Sequence, residues 1–516
     1  MSNSPSLPMQ QQPDSMRIGR SYKDAINALN SLQSNFATIQ AVKLLDILPQ
    51  QRSILSLNEV FEYTRRLGYK PLDFNKLNII HVTGTKGKGS TCAFTESILS
   101  KYRGAGINKI GLFTSPHLIS VRERIKINGE PITETKFAKY FFEVWDKLSS
   151  TTSDPDAFPT LQPCDTVKPM YFKYLTILSF HVFLSENVDT AIYEVGVGGK
   201  YDSTNIIEKP TVAAMTSLGI DHTLMLGNTI DSIAWNKAGI FKRGCPAIVG
   251  EQPEYPESLK VVEDVANEIG VSSLEVVNAD IIPPSTKLGL AGDFQRKNAA
   301  VAVKIAQVHM KKLGVHIESD DELPQEFIQG LEAARWDGRC QTINNYSGYD
   351  RISWFIDGAH TLESINGASQ WFKNAATKRD IPRVLLFNQQ SRDNAGELLE
   401  KLYENIYASP SLKFDHVVFT TNVTWSDGSY NSDLVSLNVS KDGVDKLIIQ
   451  KELAEKWDAL DKVRGLTTRK HIFPNIETSL KFIKSLTNDK QEVEVFVCGS
   501  LHLVGGFLAV LKEIKD

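Results

Sequence analysis

The sequence predicts an α/β protein: an N-terminal P-loop-type parallel sheet domain with flanking helices, followed by a smaller, doubly wound C-terminal α/β domain. Three observations lead there. Short apolar runs alternate with helical stretches along most of the chain, as expected when strands are buried on both faces of a parallel sheet. A loop rich in glycine and lysine, "GTKGKGS" (Gly84 to Ser90), separates one such run from a helical pattern. At 516 residues the chain exceeds what one hydrophobic core organises, so two large domains are expected.

In chain order, residues 1–20 are rich in Ser, Pro and Gln, with one acid (Asp14) and two arginines (Arg17, Arg20). They read as a disordered tail or a weak mitochondrial presequence, with Met9 and Met16 as alternative starts. Ser21 to Leu67 has helical spacing. "NIIHVT" (Asn78 to Thr83) is strand-like, and Ser90 to Arg103 is a helix with Phe94, Ile98 and Tyr102 on one face. Further strands begin at Ile110, Thr190 and Thr211, each ending in a loop of Gly, Ser, Asp or His. The densest apolar run, Met170 to Leu184, is broken by Lys173 and His181 and suits a core helix. Ser149 to Asp165 and Pro253 to Pro256 read as surface loops.

A second series starts near Trp336, with strands in "ISWFID", "RVLLFN", "DHVVFTT" and "VEVFVCG", and a last helix after "GSLHLVGG" (Gly499 to Gly506). The expected division is therefore a tail at 1–20, an N-terminal α/β domain at 21–335, and a C-terminal α/β domain at 336–516.

Composition excludes several classes. A net charge of −4 argues against a general nucleic-acid binder, and no run nears the roughly 20 apolar residues of a membrane span. Five cysteines without a CxxC pair fit neither a disulfide framework nor a structural zinc site, so they read as reduced thiols.

The loop carries the chemistry. A strand, a glycine loop and a helix N-terminus present backbone N–H groups and about half a positive charge to an anion. Glycine lets the main chain approach phosphate oxygens. Lys88 would neutralise the transferred phosphate, and Ser90 would open the helix within reach of phosphate or its Mg²⁺. The spacing is not GxxxxGK[ST], because Gly89 separates Lys88 from Ser90. Glu194 closes a strand, and Asp221-His222 follows another, so both fall at the carboxyl edge where a metal site would be built. Taken singly, Glu194 is as readily a structural carboxylate and His222 a satisfied core histidine. Lys237 lies on a largely apolar stretch. Its amine either reaches back to water or loses its proton through burial.

Six blocks in order, "HVTGTKGKGSTCAF", "TSPHLISVRERIKING", "YEVGVGGKYDSTNII", "SLGIDHTLMLG", "IAWNKAGIFK" and "DGAH", closely resemble the folylpolyglutamate synthases of eukaryotic type, within the folate and muramyl amide ligase superfamily. The resemblance spans Ala41 to Gly506. It implies an ATP-dependent ligase adding L-glutamate to the γ-carboxyl of tetrahydrofolate or its shorter glutamate conjugates. Gly84, Thr85, Lys86, Gly87, Lys88, Gly89 and Ser90 would then bind the ATP phosphates. Ser115, Glu194 and His222 would hold Mg²⁺, and Lys237 matches a lysine carbamylated in relatives. Arg339 and Asp357 would reach ATP from the second domain. His360, as the base, and Ser500 would lie near glutamate, and the loop from Ser115 to Gly129 would position folate.

Two blocks depart from the family pattern. Thr361 follows His360 where DGAHN is usual, and Phe294 and Gln295 stand at the first two positions of the HQxxNA block, which leaves Gln295 and Asn298 unassigned as ATP contacts. Mg²⁺ is the expected cofactor, with a monovalent cation as a second ion. The expected partners are ATP, folates and glutamate, without nucleic acid or a membrane span. A cytoplasmic monomer is expected, with a mitochondrial form as a second location. Dihydrofolate synthase, alone or in a bifunctional enzyme, is the nearest rival. A non-catalytic nucleotide-gated binding protein is a remote one.

Overall fold

The computed structural model describes residues 20–33, 49–158, 161–162, 168–317, 322–377, 379–390, 392, 394–409, 412–428, 432–434, 446–487 and 491–514. The expected N-terminal tail, apart from Arg20, and residues 159–160 and 163–165 of the expected Ser149–Asp165 loop lie outside these residues, while Ser149 and Ser150 end the helix Glu134–Ser150.

Eight strands form the first sheet: β1 (Ile80–Thr83), β2 (Ile110–Phe113), β3 (Ile125–Ile127), β4 (Glu130–Pro131), β5 (Thr190–Glu194), β6 (Val212–Met215), β7 (Pro246–Gly250) and β8 (Ser273–Val277). Their order is β4-β3-β2-β5-β1-β6-β7-β8. From β2 to β8 all neighbours are parallel, whereas β3 and β4 are antiparallel additions at one edge. The four strands expected from apolar runs, β1, β2, β5 and β6, are completely buried. Sequence reading did not mark β3, β4, β7 or β8; β3 and β8 are partly exposed and carry too weak an apolar pattern. Because β1 lies between β5 and β6, the carboxyl ends of three consecutive neighbours open onto one crevice.

The second sheet holds β9 (Gln341–Ile343), β10 (Ile352–Ile356), β11 (Arg383–Phe387), β12 (His416–Thr420), β13 (Arg469–Phe473) and β14 (Val493–Cys498), in the order β13-β12-β11-β14-β10-β9. Only β9 is antiparallel to its neighbour. Helices cover both faces, burying Phe372 and Trp457 on one side and Trp354 and Phe507 on the other. Residue 335 falls between the helix Gln325–Ala333 and β9.

The last helix differs from expectation. It runs over Leu501–Leu511 and contains Gly505 and Gly506, rather than starting after them. A Cβ at Gly505 would lie 2.0 Å from the Leu118 carbonyl oxygen. The pair is there for close contact with the first domain, not to break a helix.

At the amino-terminal side of the second sheet, Arg383 Nε donates to Glu494 Oε2 at 2.9 Å, and both residues are 4% exposed. Removing one member leaves a buried charge, so Glu494→Ala should cost about 3–5 kcal/mol, read from denaturant unfolding. Burial also holds five histidines neutral: His81, His117 and His360 are pushed down to about 3, and His309 and His471 to about 4. Their folded pKa values lie below the unfolded value of about 6.5, so the unfolded chain binds protons first as pH falls. Stability should therefore begin to fall near about pH 6.5, above the carboxylate range, as followed by the denaturant midpoint from neutral pH downward.

Candidate active site

The glycine loop leaves β1 and enters the helix Lys88–Ser100. Gly84 has φ 145°, and a Cβ there would meet Thr216 Oγ1 at 1.9 Å. Gly87, the N-cap, has φ 85°, and its Cβ would lie 2.1 Å from Asn298 Oδ1. Both positions thus combine a left-handed conformation with no room for a side chain. The loop is tied to the end of β6: Thr85 N and Lys86 N donate to Ser217 O at 2.9 and 3.1 Å, and Thr216 Oγ1 donates to Lys86 O at 2.6 Å. The first helical bond runs from Thr91 N to Gly87 O, so the amides of 88–90 lack a partner within the helix.

Two lysines converge on one carbonyl. Lys237 Nζ donates to Gly84 O at 2.8 Å and Lys88 Nζ donates to the same oxygen at 3.1 Å. Lys237 is 2% exposed; burial, reinforced by Lys88, drives its pKa well below the usual lysine range. Burial thus disfavours the charged form of its amine. Lys86 reaches Asp221 at 3.4 Å, and Arg392 of the second domain reaches the same carboxylate at 3.4 Å. Burial alone would raise Asp221, but Lys86, His222 and Arg392 outweigh it and hold it well below the ordinary carboxylate range.

Across the crevice, Glu194 at the end of β5 is buried, and its Oε2 accepts Ser115 N at 2.9 Å. Burial raises its pKa, opposed by Lys88, the Ser115 amide, Arg339 and Arg124. From the second domain, Asp357 ends β10 and accepts Cys340 N at 2.8 Å; burial raises it, with Arg339 opposing. A cavity of about 360 Å³ lies between the domains, lined by Thr114, Pro116, Lys126, Trp336 and Arg339 among others.

The family model for the C-terminal domain of dihydrofolate synthetase matches residues 341–510. A folylpolyglutamate synthase of Candida albicans is 60% identical over 520 aligned residues, covering 98% of this chain and 99% of that protein. The chain belongs to the folylpolyglutamate synthase family. A Saccharomyces cerevisiae relative of the same name is 49% identical, covering 96% of this chain and 88% of its own. The fold matches a Mycobacterium tuberculosis folylpolyglutamate synthase structure complexed with ADP, with a TM-score of 0.67, 22% identity and coverage of 95% and 100%.

Of the residues singled out from sequence, the structure joins Gly84 to Ser90, Lys88 and Lys237 at one loop and Ser115 with Glu194 at the facing strand. His222 is at the rim; it caps the short helix Thr223–Leu226 with φ 52° and has no hydrogen bond to Ser115 or Glu194. Burial lowers His222, partly offset by Asp221. His360 Nδ1 donates to Gly358 O at 2.8 Å, leaving Nε2 as an acceptor. Ser500 is buried and its hydroxyl oxygen accepts Leu503 N as a helix cap, while Thr361 starts the helix Leu362–Ala375 in the same way. Gln295 donates to Ser90 Oγ at 3.2 Å and bonds Asn298, so both amides brace the loop from behind. Phe294 is half-exposed beside Gly367.

Sequence reading missed Arg392, Thr216 and Trp336. The loop sequence around Arg392 carries no motif, and Thr216 matters through contacts that only folding makes, with Gly84 and the Lys86 carbonyl. Gly87→Ala should reduce nucleotide affinity about tenfold or more through positive-φ strain and the Asn298 clash, measured by ADP titration calorimetry, while Gly104→Ala, with φ 84° and open space around it, should not.

Proposed function

We propose that this chain joins L-glutamate to the γ-carboxyl of tetrahydrofolate and its shorter glutamate conjugates, using ATP and passing through an acyl phosphate. The observation that carries this reading is the crevice itself. A glycine loop with two lysines on the Gly84 carbonyl faces a buried carboxylate, and cationic groups of the second domain reach in from the other side.

A carboxylate is a poor acyl donor because its leaving group would be oxide. Phosphoryl transfer to it makes phosphate the leaving group. Such transfer depends on positioning and electrostatics rather than covalent help from the protein. The free amides of 88–90 and Lys88 would bind the β- and γ-phosphates. An arriving polyanion would also compete with Asp221 for Lys86 and Arg392. Glu194 and Ser115 present hard oxygen donors, which fit Mg²⁺ held by few protein ligands and completed by phosphate and water. Mg²⁺ when bound there would neutralise phosphate charge; a monovalent cation is proposed as a second ion. Lys237, whose charged form is disfavoured by burial, is suited to take up CO₂ as a carbamate while keeping an N–H for Gly84 O.

Glutamate must attack through its neutral amine. His360, pushed down to about 3 by burial and by Lys86, is a weak base. Its Nε2 suits orienting the amine by accepting a hydrogen bond more than storing a proton. Closure of the second domain over the crevice would keep water from the acyl phosphate. A folate would occupy the 360 Å³ cavity, with its acidic tail among Lys126, Arg335 and Arg339. A monomer in the cytoplasm, with a mitochondrial form, is the proposed setting.

The dihydrofolate synthetase description of the matching C-terminal model favours one second reading, addition of the first glutamate to dihydropteroate. Incubation with ATP and labelled glutamate, using tetrahydrofolate or dihydropteroate separately, decides between them. Label on tetrahydrofolate is expected, and label on dihydropteroate alone would overturn the choice. Lys88→Ala should lower kcat about 10²–10³-fold with folate binding retained by titration. Lys237→Ala activity should recover in part when small carboxylic acids replace the missing carbamate, followed as ADP release.

A further inference from the structure

Three segments far apart in sequence meet away from the phosphate loop: the helix Tyr22–Asn30, the loop from Ser115 to Arg124, and the turn Ser432–Leu434 of the second domain. Asp433 is their common point and is 7% exposed. Its Oδ1 accepts Val121 N at 2.6 Å and the Tyr22 hydroxyl at 2.5 Å. Its main-chain oxygen accepts His117 Nε2 at 2.8 Å, and Asn30 Nδ2 donates to the neighbouring Ser432 O at 2.8 Å.

His117 passes the contact inward. Its Nδ1 accepts Arg124 Nε at 2.9 Å. A guanidinium nitrogen only donates, so Nδ1 must carry the lone pair and Nε2 the hydrogen, which is what the Asp433 carbonyl needs. A protonated His117 would set two N–H groups against each other. Arg124 is itself buried, and its main-chain oxygen accepts Thr114 N at 3.2 Å. The next amide along the chain, Ser115 N, donates to Glu194. Hydrogen bonds, the side chains of His117 and Arg124 and one peptide step therefore lead from the Asp433 main-chain oxygen to the buried carboxylate of Glu194, while the Asp433 carboxylate holds the same loop at Val121. A cavity of about 660 Å³ flanks the junction, bordered by Tyr22, Ser120, Arg122 and Asp433, while Leu118 and Ile119 of the same loop pack into the apolar core of the second domain.

We propose that Asp433 is a positioning residue of the ligase. It fastens the 115–124 loop to the second domain, so that the Ser115–Glu194 pair takes its metal-binding arrangement only when that domain is seated. This rests on the reading of Ser115 and Glu194 as Mg²⁺ ligands, and it adds a residue that touches neither substrate nor metal.

The test uses the full chain with Mn²⁺ as an electron-paramagnetic probe in the presence of ADP, together with steady-state kinetics. Asp433→Ala removes both acceptor bonds to the side chain, whereas Asp433→Asn keeps an acceptor oxygen without the charge. Asp433→Ala should weaken Mn²⁺ binding and raise the Mg²⁺ needed for activity about tenfold, with Asp433→Asn between it and the parent. The KM for ATP should stay within about twofold, because the phosphate loop is untouched. Parental Mn²⁺ affinity in Asp433→Ala would overturn the proposal, as would a lowered melting temperature with unchanged affinity per folded molecule. Should Asp433→Ala not fold, His117→Gln breaks the second hydrogen bond between the same loop and Asp433, the one to its main-chain oxygen, and parental Mn²⁺ affinity there also overturns it. Absence of folate- and glutamate-dependent ADP release in the parent would refute the ligase reading instead, since Mn²⁺ binding with ADP does not require that chemistry.

Discussion

The main chain at Gly84 is the constraint on which the crevice depends. Thr216 Oγ1 occupies the space a side chain would need, so the loop lies flat on the end of β6 with its carbonyl turned toward Lys88 and Lys237. Two full positive charges donating to one carbonyl oxygen would repel each other. Burial of Lys237 lessens that conflict by favouring its neutral amine, and leaves Lys88 as the cation that faces a phosphate. One packing contact thus determines where the charge resides.

Asp221 extends the same logic across the domain boundary. It holds Lys86 from the loop and Arg392 from the second domain at 3.4 Å each, distances loose enough for a triphosphate to compete for both cations. Long, partly exposed ion pairs contribute little stability, and they are weakened by salt. The tight contacts between domains lie elsewhere, where Gly505 meets Leu118 and Asp433 meets Val121. The 115–124 loop is consequently gripped from the second domain at two places while its first amide holds Glu194.

Much of this was legible in the amino-acid order. Fully buried parallel strands are continuous apolar runs, so β1, β2, β5, β6, β10, β11, β12 and β14 stood out. Partly exposed strands did not: β3, β9 and β13 mix polar with apolar residues and hold no apolar block. Gly505 and Gly506 were misplaced because local rules treat paired glycines as a break, whereas here a neighbouring backbone needs their missing side chains.

By itself the sequence determined the fold class, the phosphate loop and the family, because glycine spacing and strand hydrophobicity are local properties. Only the tertiary structure decided which groups share charge. Lys237 and Gly84 are 153 residues apart, and Asp221 and Arg392 are 171 apart. The lowered basicity of Lys237 and of His360 and the cap role of Ser500 all arise from burial and from partners brought in by folding. Desolvation depends on what surrounds a group in space, and the order of residues does not state that.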